Sequence, residues 1–451
     1  MKTVLKGFIL LGVIIICTIV PRPTEAVEIK VSPNKQSLQS IIDSAAPGDV
    51  IKLAKGKYEG SLIIKKSITL EGEEGAIIDG EGKGHVITVG ADDVTIKGLT
   101  IQKSGTGKNE SAIYLKDGRN NTIENNMIHE VMYGIYVQDG ESHHIINNNI
   151  SSYAVHFSKR GSGIHLYNGE GHEIKKNTIV QVQDGVYLDH TKNIKVKENK
   201  VIGSRYGFHF MFSKDIQINQ NELVANITGL MIMDSSNVKI IDNSVSRQFH
   251  VRGFGILIYD SKSILLQSNK VQQNSTGLSL EKTVDVQINR NVISGNQVGL
   301  EFIGENKNNI FTENNFIGNV VQSKITNNKM KLDNGVRGNY WDDYSSYDVT
   351  GDGIGEITYK AGSLYDQLLD REPYWQFFFE SPSIKLWSKA ETLFPSIGVA
   401  DVYDEKPLVE PVKLSQDSAK TSSERNIGAL LLALPFLWFS ILVIWSGRRL
   451  S

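Results

Sequence analysis

A repeat constrains this chain more than anything else in it. A Gly-apolar-x-apolar unit recurs as GIYV (134–137), GIHL (163–166), GVYL (185–188), GFHF (207–210), GLMI (229–232), GILI (255–258), GLSL (277–280) and GLEF (299–302). Its glycines are 29, 22, 22, 22, 26, 22 and 22 residues apart. An Asn-x-apolar unit keeps step at Asn125, Asn148, Asn177, Asn199, Asn221, Asn243, Asn269, Asn291 and Asn314. The two series share their long intervals, so those intervals are inserted loops. A period near 22 made of short alternating runs, with no helical pattern, predicts a solenoid. A leucine-rich repeat would carry its Leu and Asn framework in every unit, and that is absent. The expected fold is all-β, a right-handed parallel β-helix of about 11 coils of ~22 residues, with handedness set by strand crossovers. Ile, Val, Leu and Phe should alternate inward against outward polar residues. Asn should sit at corners, where it tolerates left-handed backbone, and its amides should stack from coil to coil.

Weaker coils precede the clear ones: AIYL (112–115), VTIKGLTI (94–101) with Gly98 at the Asn position, and SITLEG (67–72) as the first. Open ends of a solenoid expose strand edges and need covers. Residues 37–46 (SLQSIIDSAA) fit an N-terminal capping helix ended by Pro47-Gly48. At the other end, Tyr340, Trp341 and Tyr344 are suited to pack over the rod.

Composition narrows the function. The 451 residues hold 48 Lys and Arg against 50 Asp and Glu, so no nucleic-acid partner is expected. With 40% hydrophobic residues the chain is not disordered. Gly (41) far exceeds Pro (10), which suits many tight turns rather than Pro-rich linkers. The one cysteine, Cys17, lies in an apolar stretch (7–20) behind Lys2 and Lys6 and before a small-residue cleavage site at Thr24-Glu25-Ala26. That pattern is a secretory signal. Its removal leaves no cysteine, hence no disulfide, thiolate site or cysteine nucleophile. Residues 427–446 are long enough to span a bilayer, and Arg448 and Arg449 behind them place the C-terminus in the cytoplasm. The expected layout is signal 1–26, β-helix with its N-terminal cap 27–337, C-terminal cap 338–375, juxtamembrane segment and linker 376–426, transmembrane helix 427–446 and cytoplasmic tail 447–451. The bulk of the chain is then on the extracytoplasmic face of the membrane.

Alternation puts one outward column at Tyr114, Tyr136, His165, Tyr187, His209, Met231, Leu257, Ser279 and Glu301. The next outward column is Lys116, Gln138, Tyr167, Asp189, Met211, Met233, Tyr259 and Glu281. His209, Met211, Met231 and Met233 therefore form a four-cornered patch, with His190 at the neighbouring turn. Thioether plus imidazole is a soft ligand set that suits Cu(I); an ordinary apolar patch under a loop or partner is the bland alternative. All 10 His lie between residues 85 and 250. His85, His129, His143, His144, His156 and His172 read as ordinary surface residues, and His156 and His250 lie on the two inserted loops, where further ligands could swing inward. At 348–356 the spacing of Asp348, Thr350, Asp352, Gly353 and Glu356 fits a candidate calcium loop, although Tyr359 stands where its last Glu belongs. A polysaccharide-acting β-helix enzyme (lyase, hydrolase or epimerase) is the rival class. Asp184, Asp189, His190 and Asp215 would be its group, but no outward column of paired acids supports it.

The secreted Asn-ladder coils ending in GNYWDDY…YDVTGDGIGEITY, then DREPYW and SPSIKLWSKAETLFP, resemble the NosD family of nitrous oxide reductase maturation proteins over about residues 30–400. That resemblance implies a non-enzymatic, extracytoplasmic accessory of an ABC-type transporter, made of a permease and an ATPase. It implies copper delivery to nitrous oxide reductase, with a copper-carrying lipoprotein as donor. It supplies no ligand residues, so the His209/Met patch stands on the columns alone.

Overall fold

The computed structural model describes residues 26–33, 35–251, 253–325, 330–360, 381–383, 386 and 402–413. They wind into a parallel β-solenoid. One wall stacks 13 strands, and a 24-stranded sheet supplies the other two. The coil count therefore exceeds the expected eleven. The excess lies at the N-terminal end: Glu28–Val31 pairs in parallel with Val50–Leu53, which pairs with Thr69–Gly72. SITLEG is thus not the first coil. These early strands lack the Gly unit that marks the later ones.

Alternation fills the rod. Phe208, Phe210, Ile216, Ile218, Leu230 and Ile232 are all buried, and the rings of Phe208 and Phe210 stack 5.8 Å apart. The recurring glycine has a steric cause. A Cβ on Gly185 or Gly207 would sit 2.4 Å from the carbonyl oxygen of the next coil's glycine. The helix Leu38–Ser44 closes the N-terminal end and buries Leu38, Ile41 and Ile42.

The asparagine ladder is present but shifted at its start. Asn199 donates from its backbone N–H (2.8 Å) and from Nδ2 (3.1 Å) to Oδ1 of Asn221, which does the same to Asn243 at 2.9 Å and 2.9 Å. The first rung below Asn148 is Asn126, not Asn125. Asn125, like Gly98, occupies the position before the ladder, and it is this position that turns left-handed (φ 56° at Asn125, 70° at Gly98). Lys176, Glu198 and Gln220 take the same conformation one residue before their rungs. The rung asparagines serve through their amides rather than through backbone tolerance. The chain extends the ladder at its far end to Asn339, which binds Asn314 at 2.7 Å.

Two expected surface histidines are inside. His143 and His172 are 0% and 1% exposed and stack 5.0 Å apart. Each Nδ1 accepts a backbone N–H from the preceding coil, Asn121 and His143 respectively. They do at this corner what an asparagine oxygen does elsewhere.

The C-terminal cap holds the expected aromatics. Trp341 is fully buried, stacked on Phe316 at 4.0 Å and on Tyr359 at 4.5 Å. It also recruits an unexpected segment. Val402–Asp404 pairs with Met330–Lys331 and with Tyr359–Lys360. The buried Asp404 accepts from Asn339 N–H (2.7 Å), Asn339 Nδ2 (3.0 Å) and Trp341 Nε1 (3.2 Å). Residues 402–409 therefore belong to the cap, not to the linker expected over 376–426. The sequence signal was weak because one short strand had to be matched across some sixty residues. The compact unit ends at Pro411. Among the described residues no helix is long and apolar enough to cross a membrane. The signal up to residue 25, the span 427–446, the tail 447–451 and most of 376–401 lie outside them.

Candidate metal centre

The two outward columns are real. Tyr114, Tyr136, His165, Tyr187, His209, Met231, Leu257, Ser279 and Glu301 pair in that order, strand to strand. His209 pairs with Met231, and Met211 with Met233, on strands Tyr206–Met211 and Thr228–Met233. Neighbouring strands set one side at about 4.8 Å, and two-residue spacing sets the other at roughly 6.8 Å. Three flexible thioethers and one imidazole can meet over such a rectangle. The three methionines are partly buried.

His209 is 8% exposed and held on several sides. Tyr187 stacks on its ring at 4.7 Å with 17° between planes, and Tyr206 meets it edge-on at 4.8 Å. Its Nδ1 lies 3.1 Å from Oδ2 of Asp184. Its Nε2 is buried with no hydrogen-bond partner among the described residues. An N–H at Nε2 would be a stranded buried donor, a cost of about 1–3 kcal/mol. A proton on Nδ1 is accepted by Asp184, so the Nδ1–H tautomer is favoured and Nε2 keeps a free lone pair. Asp184 is itself buried and takes Arg205 through Nε (2.9 Å) and Nη2 (2.6 Å). Burial opposes its charge, but bonds from His209 and Arg205 outweigh that and hold its carboxyl below the usual range.

Tyr187 touches the patch too. Its hydroxyl lies 3.5 Å from Met211 Sδ and 3.4 Å from Oδ2 of Asp189. Burial, then the charges of Asp189 and Asp184, push this phenol up to about 12, so it stays a donor at neutral pH. His165, two strands along the column, has a buried Nδ1 with no partner among the described residues. Burial lowers its pKa to about 4.

Of the other candidates, His190 adjoins the patch through Asp189, the strand partner of Met211. His190 sits at the turn, bonded to Asp189 at 2.6 Å and 4.9 Å from the Phe212 ring. His156 bonds Ser158 in the first inserted loop, and His250 lies in the second. Asp215 accepts from Asn237 Nδ2 on a turn. Asp348 uses its carboxylate on the backbone N–H groups of Gly351 (2.7 Å), Asp352 (3.2 Å) and Gly353 (2.8 Å). Among the described residues no three or more His, Cys, Asp or Glu are grouped to hold a metal. The bonds of Asp348 are those of an Asp-Gly turn, the alternative to a calcium loop at Asp348, Asp352 and Glu356.

Asp184 and Arg205 were not foreseen in their role. Asp184 lies 25 residues before His209, outside both columns, and only the coil winding brings it beside the ring. The available signal was its place directly before the unit glycine, Gly185.

The chain matches the family described as periplasmic copper-binding protein (NosD) over residues 53–154 and 146–346. It is 34% identical over 379 residues to the probable ABC transporter binding protein NosD of Stutzerimonas stutzeri, covering 80% of this chain and 86% of that one. It is 35% identical over 376 residues to the protein of the same description from Pseudomonas aeruginosa, covering 79% and 87%. Among solved structures, the A-module of the Azotobacter vinelandii mannuronan C-5 epimerase AlgE6 superposes with a TM-score of 0.55 at 16% identity, over 64% of this chain and 90% of that one. That likeness shows the solenoid fold alone.

Proposed function

The chain belongs to the NosD family of periplasmic copper-binding proteins, and from that premise we propose that it carries Cu(I) as transient cargo on the His209/Met patch. The observation that supports this reading is the buried, unpartnered Nε2 of His209 on the same four-cornered patch as Met211, Met231 and Met233. Imidazole and thioether are donors that a soft monovalent ion prefers over hard cations. His209 supplies the fixed nitrogen. The methionines supply mobile sulfurs that can close on the ion and let it go. Tyr187 competes for the Met211 sulfur, and its hydroxyl can turn wholly to Asp189 when that sulfur binds metal. His190 is the nearest further imidazole along the chain. Release matters as much as capture in a carrier, so neutral, flexible donors fit the task.

In this reading the rod works outside the membrane with an ABC transporter permease and ATPase. It receives copper from a copper-carrying lipoprotein and supports maturation of the copper centres of nitrous oxide reductase. Residues 427–446 tether it to the membrane with the C-terminus in the cytoplasm, after removal of the signal. Its role is binding rather than catalysis. The carboxylates that a polysaccharide enzyme would need are committed: Asp184 to Arg205 and His209, Asp189 to His190, and Asp215 to Asn237.

The test replaces Met211, Met231 and Met233 together by Leu, which keeps volume and apolar character but removes the sulfurs. The variant should fold as the parent does, lose Cu(I) to a bicinchoninate competitor at lower chelator concentration, and leave cellular nitrous oxide reductase poor in copper. If it holds copper and matures the reductase like the parent, the patch is a packing surface. Deleting residues from 424 onward should release a folded, soluble rod from membranes; a rod that still sediments with membranes would refute the tether.

A further inference from the structure

We propose that Asp184, braced by Arg205, is a positioning residue that fixes the tautomer of His209 and so selects Nε2 as the nitrogen offered to the metal. The proposal deepens the copper reading and rests on it, but its first readout needs no copper.

Three consecutive pieces of one coil and the next build the arrangement. Asp184 stands just before Gly185, Arg205 lies in the following turn, and His209 follows on the strand Tyr206–Met211. Arg205 binds both carboxylate oxygens of Asp184, Nε to Oδ1 and Nη2 to Oδ2. A guanidinium fork of this kind fixes the plane of the carboxylate, which a lysine point charge cannot do. The fork is itself anchored, because the Arg205 guanidinium lies 4.4 Å over the Tyr206 ring. Oδ2 then has one direction left for His209 Nδ1. Tyr187 and Tyr206 hold the ring from its face and its edge, so it cannot flip to exchange its nitrogens without leaving both.

Among the described residues His143, His172 and His209 all have a buried Nε2 without a hydrogen-bond partner. At His143 and His172 Nδ1 accepts a backbone N–H, so the proton sits on Nε2. At His209 Nδ1 faces the Asp184 carboxylate instead, so the proton sits on Nδ1 and Nε2 keeps its lone pair. Histidines that ligate metals commonly donate their second N–H to a carboxylate, which orients the ring and makes the ligating nitrogen more basic. Arg205 adds a further consequence. It cancels the charge of Asp184, so the orienting carboxylate does not turn the patch into an anionic site attractive to hard divalent cations.

The experiment uses the full chain in detergent, labelled with 15N-histidine, and reads the ring tautomer by long-range 1H–15N NMR. His209→Gln identifies the resonances. The parent should show the proton on Nδ1 of His209. Asp184→Asn keeps the shape but presents an amide N–H to Nδ1, so the proton should move to Nε2. Cu(I) affinity should then fall roughly 10–100-fold, the usual cost of removing such a partner. Arg205→Lys should leave a mixture of tautomers and an intermediate affinity; it also serves if Asp184→Asn fails to fold. A parent with the proton on Nε2 would overturn the proposal. So would a variant whose tautomer switches while affinity holds, provided His209→Gln lowers affinity. If His209→Gln leaves copper binding untouched, the copper reading of His209 fails, whatever the tautomer shows.

Discussion

Asn221 offers a severe test of why this rod stands. Its Oδ1 accepts the backbone N–H (2.8 Å) and Nδ2 (3.1 Å) of Asn199. Its Nδ2 donates to Val196 O (2.9 Å), Asn219 O (3.0 Å) and Asn243 Oδ1 (2.9 Å). The side chain is 2% exposed, so water cannot replace these partners. Truncation to Ala strands the buried Asn199 N–H, at about 1–3 kcal/mol, and forfeits the other bonds at roughly 0.5–1.5 kcal/mol each, several of them shared. A total loss of about 3–5 kcal/mol is expected. Asn221→Asp keeps the acceptor for Asn199 but sets a carboxylate against three oxygens that need a donor. The nearly isosteric change should therefore cost more than the truncation, the reverse of a simple volume effect. Gln217→Ala, on the exposed side of the same region, should stay within about 0.5 kcal/mol of the parent. Urea unfolding followed by far-UV circular dichroism reads all three, provided the m-values agree. An Asn221→Asp variant as stable as the Gln217→Ala variant would refute the ladder as a source of stability.

Two further outcomes follow from the interior. Burial above all depresses His143 to about 4 and His172 to about 3, so the unfolded chain binds protons there that the folded chain refuses. Stability should fall as pH drops below about 6.5 toward 4, by up to roughly 1.4 kcal/mol per pH unit for each ring, and His143→Asn with His172→Asn should flatten that slope; an unchanged slope in urea titrations would contradict it. Gly207→Ala drives a Cβ to 2.4 Å from Gly229 O, so it should destabilise the rod by more than about 2 kcal/mol, with local loss of hydrogen-exchange protection around 229, whereas Gly318→Ala, with open space at its Cβ, should cost less, chiefly through its left-handed backbone.

Much of this architecture was legible because a solenoid writes its period into the chain. Two columns of outward residues, from Tyr114 to Glu301, came from counting alone, since a strand alternates strictly and each coil repeats the register. The one-residue slip at Asn125 arose where two asparagines adjoin and either satisfies the pattern. His143 and His172 were misplaced because histidine is a polar letter, and only the corner geometry shows it standing in for an asparagine amide. The first coils and the returning strand Val402–Asp404 lack the repeat. At the site, His209 and the methionines were readable as neighbours. The Asp184–Arg205 brace was not, because both residues lie outside the two columns and only the winding of the coil brings them beside His209.

X-ray absorption on the Cu(I)-loaded full-length protein tests the copper site most directly. Copper K-edge spectra should show a first shell of mixed sulfur and nitrogen scatterers. In the Met211→Leu, Met231→Leu, Met233→Leu variant the sulfur component should vanish, and in His209→Gln the imidazole signature should vanish. A first shell of nitrogen and oxygen only in the parent, or one unchanged by these substitutions, would place the copper elsewhere and contradict a carrier site at His209, Met211, Met231 and Met233.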